Sequence, residues 1–222
     1  MDENGLYASH LHAWAPGLSS ADDWRKWAAG ERQIASSTEA PKLEFTEPLF
    51  RRRLSQISRM AVHVMHDVVE EFPAAAELKQ VFISLRGEIG RELAINRGLI
   101  EDGEILPAGF SLSVFNTPVA LATIALTLRG GYSAVYPSQG RFSAALQGAC
   151  APILSGAEKA VVLVYADEYV PDEYGALQPV PNEPFAFAAV LGCGQTDGAV
   201  PLPPAGAVPD SPAEFLRTLL NG

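Results

Sequence analysis

Residues that cross-link a chain or bind a metal ion are scarce in this sequence. Its 222 residues include two cysteines and four histidines, and neither type recurs at the spacing of a metal site. Cys150 and Cys193 form no spaced motif, so we expect both thiols to be reduced and buried. A glycine-rich phosphate loop is also missing. These absences predict a fold without a metal ion, a disulfide or a cofactor.

Long apolar runs and excess positive charge are missing as well. No apolar run approaches the ~20 residues of a membrane span, and the N-terminus lacks the basic segment and apolar stretch of a secretion signal. Sixteen basic residues against 26 acidic ones give a net charge of −10. This charge disfavours nucleic acid and anionic membranes as partners. We therefore expect a cytoplasmic protein.

Segments of strand and helix periodicity alternate along the chain, whose composition of 48% hydrophobic and 19% charged residues is that of a globular protein. This alternation predicts an α/β domain with a mostly parallel sheet. A stretch rich in proline, glycine and alanine at 198–210 predicts a linker, so the domain is expected at 1–197 and a linker with a short helix at 198–222. Strands are predicted at 6–14, 81–85, 132–137, 160–166 and 185–191, and helices at 19–27, 55–71, 86–100, 116–129, 139–154 and 211–220.

Gln139 is the most informative residue. It follows a predicted strand and heads a predicted helix in Tyr132-Ser-Ala-Val-Tyr-Pro-Ser-Gln-Gly140. Many acyl-transfer enzymes present a nucleophile on such a sharp strand-to-helix turn, where the helix N-terminus can stabilise an oxyanion. An enzyme would have serine or cysteine at this position, because an amide cannot form an acyl-enzyme. The pattern indicates a catalytic elbow without its nucleophile, or a helix start whose amide satisfies backbone groups.

The stretch from Leu49 to Gly192 resembles the ketosynthase branch of the thiolase-like superfamily. Residues 111–118, Ser-Leu-Ser-Val-Phe-Asn-Thr-Pro, are similar to the segment before the ketosynthase nucleophile strand. Residues 134–163 are similar to the nucleophile strand, the elbow, the helix and the next strand. Without gaps, the Gly-Glu type turn that ends this helix in ketosynthases falls on residues 155–158, and the nucleophile cysteine falls on Gln139.

Glutamine at the nucleophile position is the pattern of chain-length factors, the catalytically silent partners of ketosynthases in type II polyketide systems. The short length resembles the small ketoacyl-synthase-like proteins of aryl polyene clusters. Ketosynthases carry two catalytic histidines in their C-terminal half, whereas all four histidines here precede Gln139. The resemblance thus implies a subunit with no catalytic residue and no cofactor. It also implies half of a thiolase-like fold, with a five-stranded mixed sheet flanked by helices.

The resemblance also implies a heterodimer with a full-length ketosynthase, which supplies the cysteine and both histidines. In thiolase-like dimers the strand before the nucleophile pairs with its mate across the two-fold axis, and here that strand is 134–137. The subunit would wall a tunnel for the acyl chain, which grows on an acyl carrier protein, and bulky side chains would limit its length. The gate candidates are Phe115, Tyr136 and Phe142. The tunnel and interface residues are Phe115, Asn116, Ala134, Val135, Tyr136, Pro137, Ser138, Gln139 and Phe142.

Other readings remain open. The basic run Arg51-Arg52-Arg53 is either a solvated helix start with local ion pairs or a docking surface for the acidic carrier protein. The chain could be an independent thioester-acting acyltransferase or hydrolase with an unrecognised nucleophile. It could also be a carrier-protein-binding scaffold module with no tunnel. Candidate nucleophiles for the enzyme are Cys193, Ser9, Ser84, Ser113 and Ser138.

Overall fold

A six-stranded mixed sheet forms the centre of the computed structural model, which describes residues 5–104 and 107–222. The strands are β1 (Leu6–Trp14), β2 (Lys79–Ile83), β3 (Tyr132–Val135), β4 (Ala160–Asp167), β5 (Phe185–Cys193) and β6 (Val200–Pro201). Their order in the sheet is β3-β2-β4-β5-β1-β6. Strand β2 pairs in parallel with β3 and β4, whereas the β4–β5, β5–β1 and β1–β6 pairs are antiparallel. Residues 1–4 of the predicted domain lie outside the described residues.

The predicted mixed α/β sheet is confirmed, with two differences in detail. A sixth strand, β6, lies in the segment predicted as linker, because two residues are too short to show strand periodicity. Its Pro201 is tolerated since the strand lies at a sheet edge. Antiparallel pairs outnumber parallel ones, so the sheet is not mostly parallel. The continuous apolar run of β5 fits a strand buried on both faces, whichever way its neighbours run.

Eight helices are present in the described residues. The short helix Pro107–Ser111 lies between the predicted helices 86–100 and 116–129, where the sequence predicts none. The helices are α1 (Ala21–Ala28), α2 (Pro48–Arg51), α3 (Gln56–Glu71), α4 (Ile89–Glu101), α5 (Pro107–Ser111), α6 (Thr117–Leu126), α7 (Phe142–Leu154) and α8 (Pro212–Asn221), with 3₁₀ turns at Pro73–Glu77, Ser138–Gly140, Asp172–Leu177 and Ala205–Ala207.

Two apolar layers cover the two faces of the sheet. Helices α3 and α6 pack on one face, where Met60, Val64 and Val119 share an apolar cluster with the even-numbered side chains of β4. Helices α1, α7 and α8 pack on the other face, with Trp27 and Phe215 among the buried side chains. The 198–222 segment does contain the predicted helix, but through α8 and β6 it also packs into this core. No helix in residues 5–104 or 107–222 is long and apolar enough to cross a membrane.

Candidate functional site

The chain turns sharply between β3 and α7, and Gln139 lies at the tip of this turn. Its φ is 54° and its ψ is 28°, and the next residue, Gly140, also has a positive φ of 68°. Left-handed backbone is uncommon for residues other than glycine and is often found at functional sites. The Gln139 side chain is exposed, and no hydrogen bond within the described residues involves its amide. The amide therefore does not satisfy backbone groups of the helix.

The N-terminus of α7 is occupied by Asp210, from the segment before α8. The Phe142 N–H donates to the Asp210 carbonyl oxygen at 2.9 Å, and the Ser143 hydroxyl donates to the Asp210 carboxylate. A carboxylate at this end complements the helix dipole. α7 begins three residues after Gln139, and its N-cap residue Arg141 makes no side-chain cap. The helix end that would stabilise an oxyanion is thus capped by this chain itself.

Two of the three gate candidates lie together, and the third does not. The rings of Phe115 and Tyr136 meet edge to face with centroids 6.1 Å apart, and Phe115 also packs against Phe82 at 6.2 Å. Phe142 is fully buried in the aromatic core on the other face of the sheet, against residues such as Phe215 at 5.2 Å. The assignment of Phe142 as a tunnel or interface residue is therefore corrected, because its ring is a core ring.

Strand β3 forms one edge of the sheet. It pairs with β2 on one side, and no strand of the described chain covers its other side. Ala134 and Val135 belong to this strand and are half-buried, whereas the following Pro137 is buried and Ser138 is exposed. The Asn116 amide donates to the Tyr132 hydroxyl at 2.9 Å, which ties the start of α6 to β3. An uncovered strand edge is a pairing surface for another chain.

Exposed apolar side chains lie beside this edge and in helices α4 and α5. Tyr136, directly after β3, is 63% exposed, and Phe110 in α5 is 57% exposed. Helices α4 and α5 contain no fully buried residue among those described, although both carry large apolar side chains. Other exposed apolar residues are Leu99 and Ile100 in α4, Val114 between α5 and α6, and Tyr132 in β3. Apolar surface on this scale is typical of a protein–protein contact.

Buried carboxylates lie behind this face, where β2 and β4 end. Asp167 accepts hydrogen bonds from the Tyr165 and Ser84 hydroxyls at 2.7 and 2.6 Å and pairs with Arg86 at 3.1 Å. Burial raises the pKa of Asp167, and the nearby Arg86 charge lowers it in part. This cluster was not predicted from the sequence. The signal was present, since Ser84 and Asp167 each follow an apolar run that ends at the same edge of neighbouring parallel strands.

Glu168 lies where the N-termini of α3 and α4 converge. Its carboxylate accepts hydrogen bonds from the Ile57 N–H at 3.3 Å and the Gly90 N–H at 2.9 Å. Burial raises the pKa of Glu168 to about 7, against the lowering effect of these backbone donors. Burial also raises the pKa of nearby Glu88. Burial thus shifts both carboxyl groups toward their protonated forms relative to the unfolded chain.

Stability should rise on mild acidification. The folded pKa of Glu168 lies above its unfolded value, so its contribution to stability is full below about pH 4.5 and is lost as the pH rises to about 7. We expect the free energy of unfolding to be larger at pH 5.5 than at pH 8, by about 1–3 kcal/mol from this group. Urea titrations at the two pH values would measure it. Glu168→Gln should remove that difference, whereas the exposed control Glu173→Gln should keep it. Equal pH dependence in wild type and Glu168→Gln would contradict the assignment.

The basic run lies around the end of α2. Arg51 donates to the Leu43 carbonyl oxygen at 3.2 Å, and Arg52 and Arg53 are exposed. None of the three makes an ion pair with the described part of the chain. The carbonyl groups of Arg51 and Arg53 accept hydrogen bonds from the Arg59 and Arg91 guanidinium groups. Five arginines therefore cluster on this surface.

Alternative nucleophiles have no catalytic partner in the described residues, where no hydrogen bond joins a serine or cysteine to a histidine. Cys150 is buried, and burial raises the pKa of its thiol to about 11. Cys193 was expected to be buried but is exposed, because it ends β5 beyond the sheet core. Among the candidate serines, Ser84 donates to Asp167 and Ser113 donates to the Phe110 carbonyl oxygen. The same described residues contain no group of three or more metal-binding side chains.

The family model for the beta-ketoacyl synthase N-terminal domain matches residues 24–202. The chain therefore belongs to the beta-ketoacyl synthase N-terminal domain family, as the resemblance implied. A comparison with curated proteins finds no match.

The chain is also similar to solved ketosynthase structures. In the structure of the ketosynthase ApeO in complex with its chain length factor ApeC from Xenorhabdus doucetiae, the matched chain is 26% identical with a TM-score of 0.79, and the match covers 98% of this chain and 92% of that one. The ishigamide ketosynthase/chain length factor is 14% identical with a TM-score of 0.64, and the match covers 90% of this chain and 64% of that one. A beta-ketoacyl synthase from Burkholderia phymatum STM815 is 11% identical with a TM-score of 0.61, and the match covers 86% of this chain and 59% of that one. The last two similarities show the fold alone, over less than two thirds of those chains.

Proposed function

We propose that this chain is a non-catalytic chain-length-factor subunit that works beside a full-length ketosynthase in the cytoplasm. It completes the acyl tunnel and sets the length of the chain made by decarboxylative condensation on acyl carrier protein. One observation carries the proposal, a strained elbow that presents an amide, Gln139, next to an uncovered strand edge. The similarity to a ketosynthase–chain length factor complex supports it. Residues 1–197 are proposed to supply the ketosynthase-like part, and 198–222 to close the core behind it.

Catalytic silence follows from the chemistry of the elbow. A carboxamide is too weak a nucleophile to form an acyl-enzyme. The carboxylate of Asp210 already lies at the N-terminus of α7, where it would repel the developing charge of an oxyanion. The partner ketosynthase must then supply the nucleophile and the histidines, and Gln139 borders the acyl site without reacting.

Pairing through the β3 edge accounts for the exposed surface around it. An antiparallel strand of the partner would satisfy the outward N–H and C=O groups of β3. The apolar side chains of Tyr136 and Phe110 would leave water in the same contact. The subunit then supplies one wall of the tunnel at the interface.

The gate is assigned to the Phe115–Tyr136 pair. Both rings border the exposed face, and their contact with each other and with Phe82 holds them in position. A growing chain that reaches this pair has to displace a packed ring, and such overpacking costs about 1–3 kcal/mol.

The exposed Arg52 and Arg53 are proposed to attract the acidic carrier protein, because they form a local basic site on a chain of net charge −10.

Replacing Phe115 by alanine should lengthen the product. Removing the ring opens space along the wall, and about 1–3 kcal/mol of relieved clash corresponds to a change of about 5- to 150-fold in the ratio of longer to shorter products. The subunit would be co-purified with the ketosynthase of the same gene cluster, supplied with malonyl-loaded carrier protein, and its products sized by mass spectrometry. Leu177→Ala, which removes an exposed apolar side chain from the Asp172–Leu177 turn, is the control. An unchanged product length for both Phe115→Ala and Tyr136→Ala would overturn the gate.

A further inference from the structure

Gly87 lies against the ring of Phe115. It connects β2 to α4 with a φ of +64°, and a Cβ built on it would lie 2.9 Å from Cδ2 of Phe115. That separation is too short for a carbon–carbon contact. No side chain therefore fits at this position while the Phe115 ring stays where it is.

The backbone before Gly87 is held by a buried carboxylate. The Leu85 and Arg86 N–H groups donate to Oδ1 of Asp167 at 3.1 and 3.2 Å, and the Arg86 guanidinium group binds Oδ2. The Gly87 N–H itself donates to the Ser84 hydroxyl oxygen at 2.8 Å. Displacing this loop would leave a buried carboxylate without its donors, which is costly.

The backbone after Gly87 is held by a second buried carboxylate. Glu88 accepts hydrogen bonds from the Ser55 and Ser58 hydroxyls at 2.8 and 2.5 Å and pairs with Arg91 at 2.9 Å. Its side chain is fully buried. Because both neighbours of Gly87 are fixed to the body of the domain, the Phe115 ring is the group that must yield to any added atom.

We propose that residues 84–88 form a rigid platform on which Gly87 positions Phe115, so that Gly87 is a specificity-determining positioning residue for product length. This inference rests on the gate function proposed above for Phe115. The absence of a side chain at Gly87 lets the ring lie close to the platform. A methyl group there would push the ring away from the platform and into the space along the tunnel wall.

Gly87→Ala and Phe115→Ala should therefore change product length in opposite directions. The first moves the ring outward and should shift products toward shorter chains by about fivefold or more in ratio, and the second removes the ring and lengthens them. The double variant should behave like Phe115→Ala, because no ring remains to be displaced. The same co-purified complex and carrier-protein assay would measure all three.

Gly30→Ala separates the steric effect from backbone strain. Gly30 has a φ of +78° and nothing within 4 Å of a built Cβ, so alanine there meets only the left-handed strain. We expect Gly30→Ala to lower the Tm of the complex by about 2–8 °C without changing product length. Gly87→Ala should lower the Tm about twice as much. In the Phe115→Ala background the loss caused by Gly87→Ala should fall to that of Gly30→Ala.

The two readouts test different links. Equal Tm losses from Gly87→Ala with and without Phe115 would overturn the platform, whatever the gate does. A second outcome is a Tm decrease from Gly87→Ala that depends on Phe115, with product length unchanged in both Gly87→Ala and Phe115→Ala. That outcome would overturn the gate function and, with it, the role of Gly87 in product length. Both the platform and the gate are supported if Gly87→Ala shortens the products, Phe115→Ala lengthens them, and the double variant behaves like Phe115→Ala.

Discussion

Phe142→Ala is expected to destabilise the chain by about 3–5 kcal/mol, without lengthening the product. The side chain is fully buried, and its ring packs against Phe215, Tyr165 and Phe187 at centroid distances of 5.2, 5.8 and 6.2 Å. Alanine would leave a cavity where α7, α8 and the sheet meet. Domains of this kind have a total stability of about 5–15 kcal/mol, so the loss removes much of it.

Thermal unfolding of the purified chain would measure this loss, which corresponds to a Tm decrease of about 6–20 °C. Phe110→Ala is the matched control, since it removes the same ring from a position that is 57% exposed and should change the Tm by little. A Phe142→Ala subunit of native stability that makes longer products would contradict the core assignment and restore Phe142 to the tunnel.

Sequence periodicity could not separate Phe142 from Phe115. Both are aromatic residues beside helices in the ketosynthase-like stretch, and a core ring and a tunnel ring have the same local pattern. The difference depends on α8, which follows a proline-rich segment and places Phe215 against Phe142. Such a contact joins residues far apart in the chain, and no local signal reports it.

The α/β class and the strand-to-helix turn at Gln139 could be predicted, because they depend on local apolar runs and on turn residues next to one another. The antiparallel half of the sheet could not, since strand direction follows from how β5 returns to the sheet after a long loop. The platform around Gly87 was missed for another reason. The ends of two apolar runs place Ser84 and Asp167 at one sheet edge. Acids beside apolar segments are usually exposed, however, and only the tertiary structure shows that Asp167 and Glu88 are buried.

Ala134→Pro should weaken pairing with the ketosynthase while leaving the chain folded. The Gln80 N–H donates to the Gly131 carbonyl oxygen. In a parallel ladder the bonded residues of one strand alternate, so the groups of residues 131, 133 and 135 face β2. The N–H of Ala134 then points to the open edge, where proline removes a donor that only a partner strand can use. A lost hydrogen bond and the bulk of the ring should weaken assembly by about tenfold or more.

Two variants separate the open edge from the rest of β3. Ala134→Val enlarges the side chain but keeps the N–H, so it should co-purify with the ketosynthase as a heterodimer by light scattering. Ser133→Pro removes an N–H that bonds β2, so it should destabilise the chain itself, with or without a partner. If Ala134→Pro still forms the heterodimer at wild-type affinity, the partner does not pair with β3. The apolar surface around Tyr136 and Phe110 would then have to carry the interface alone.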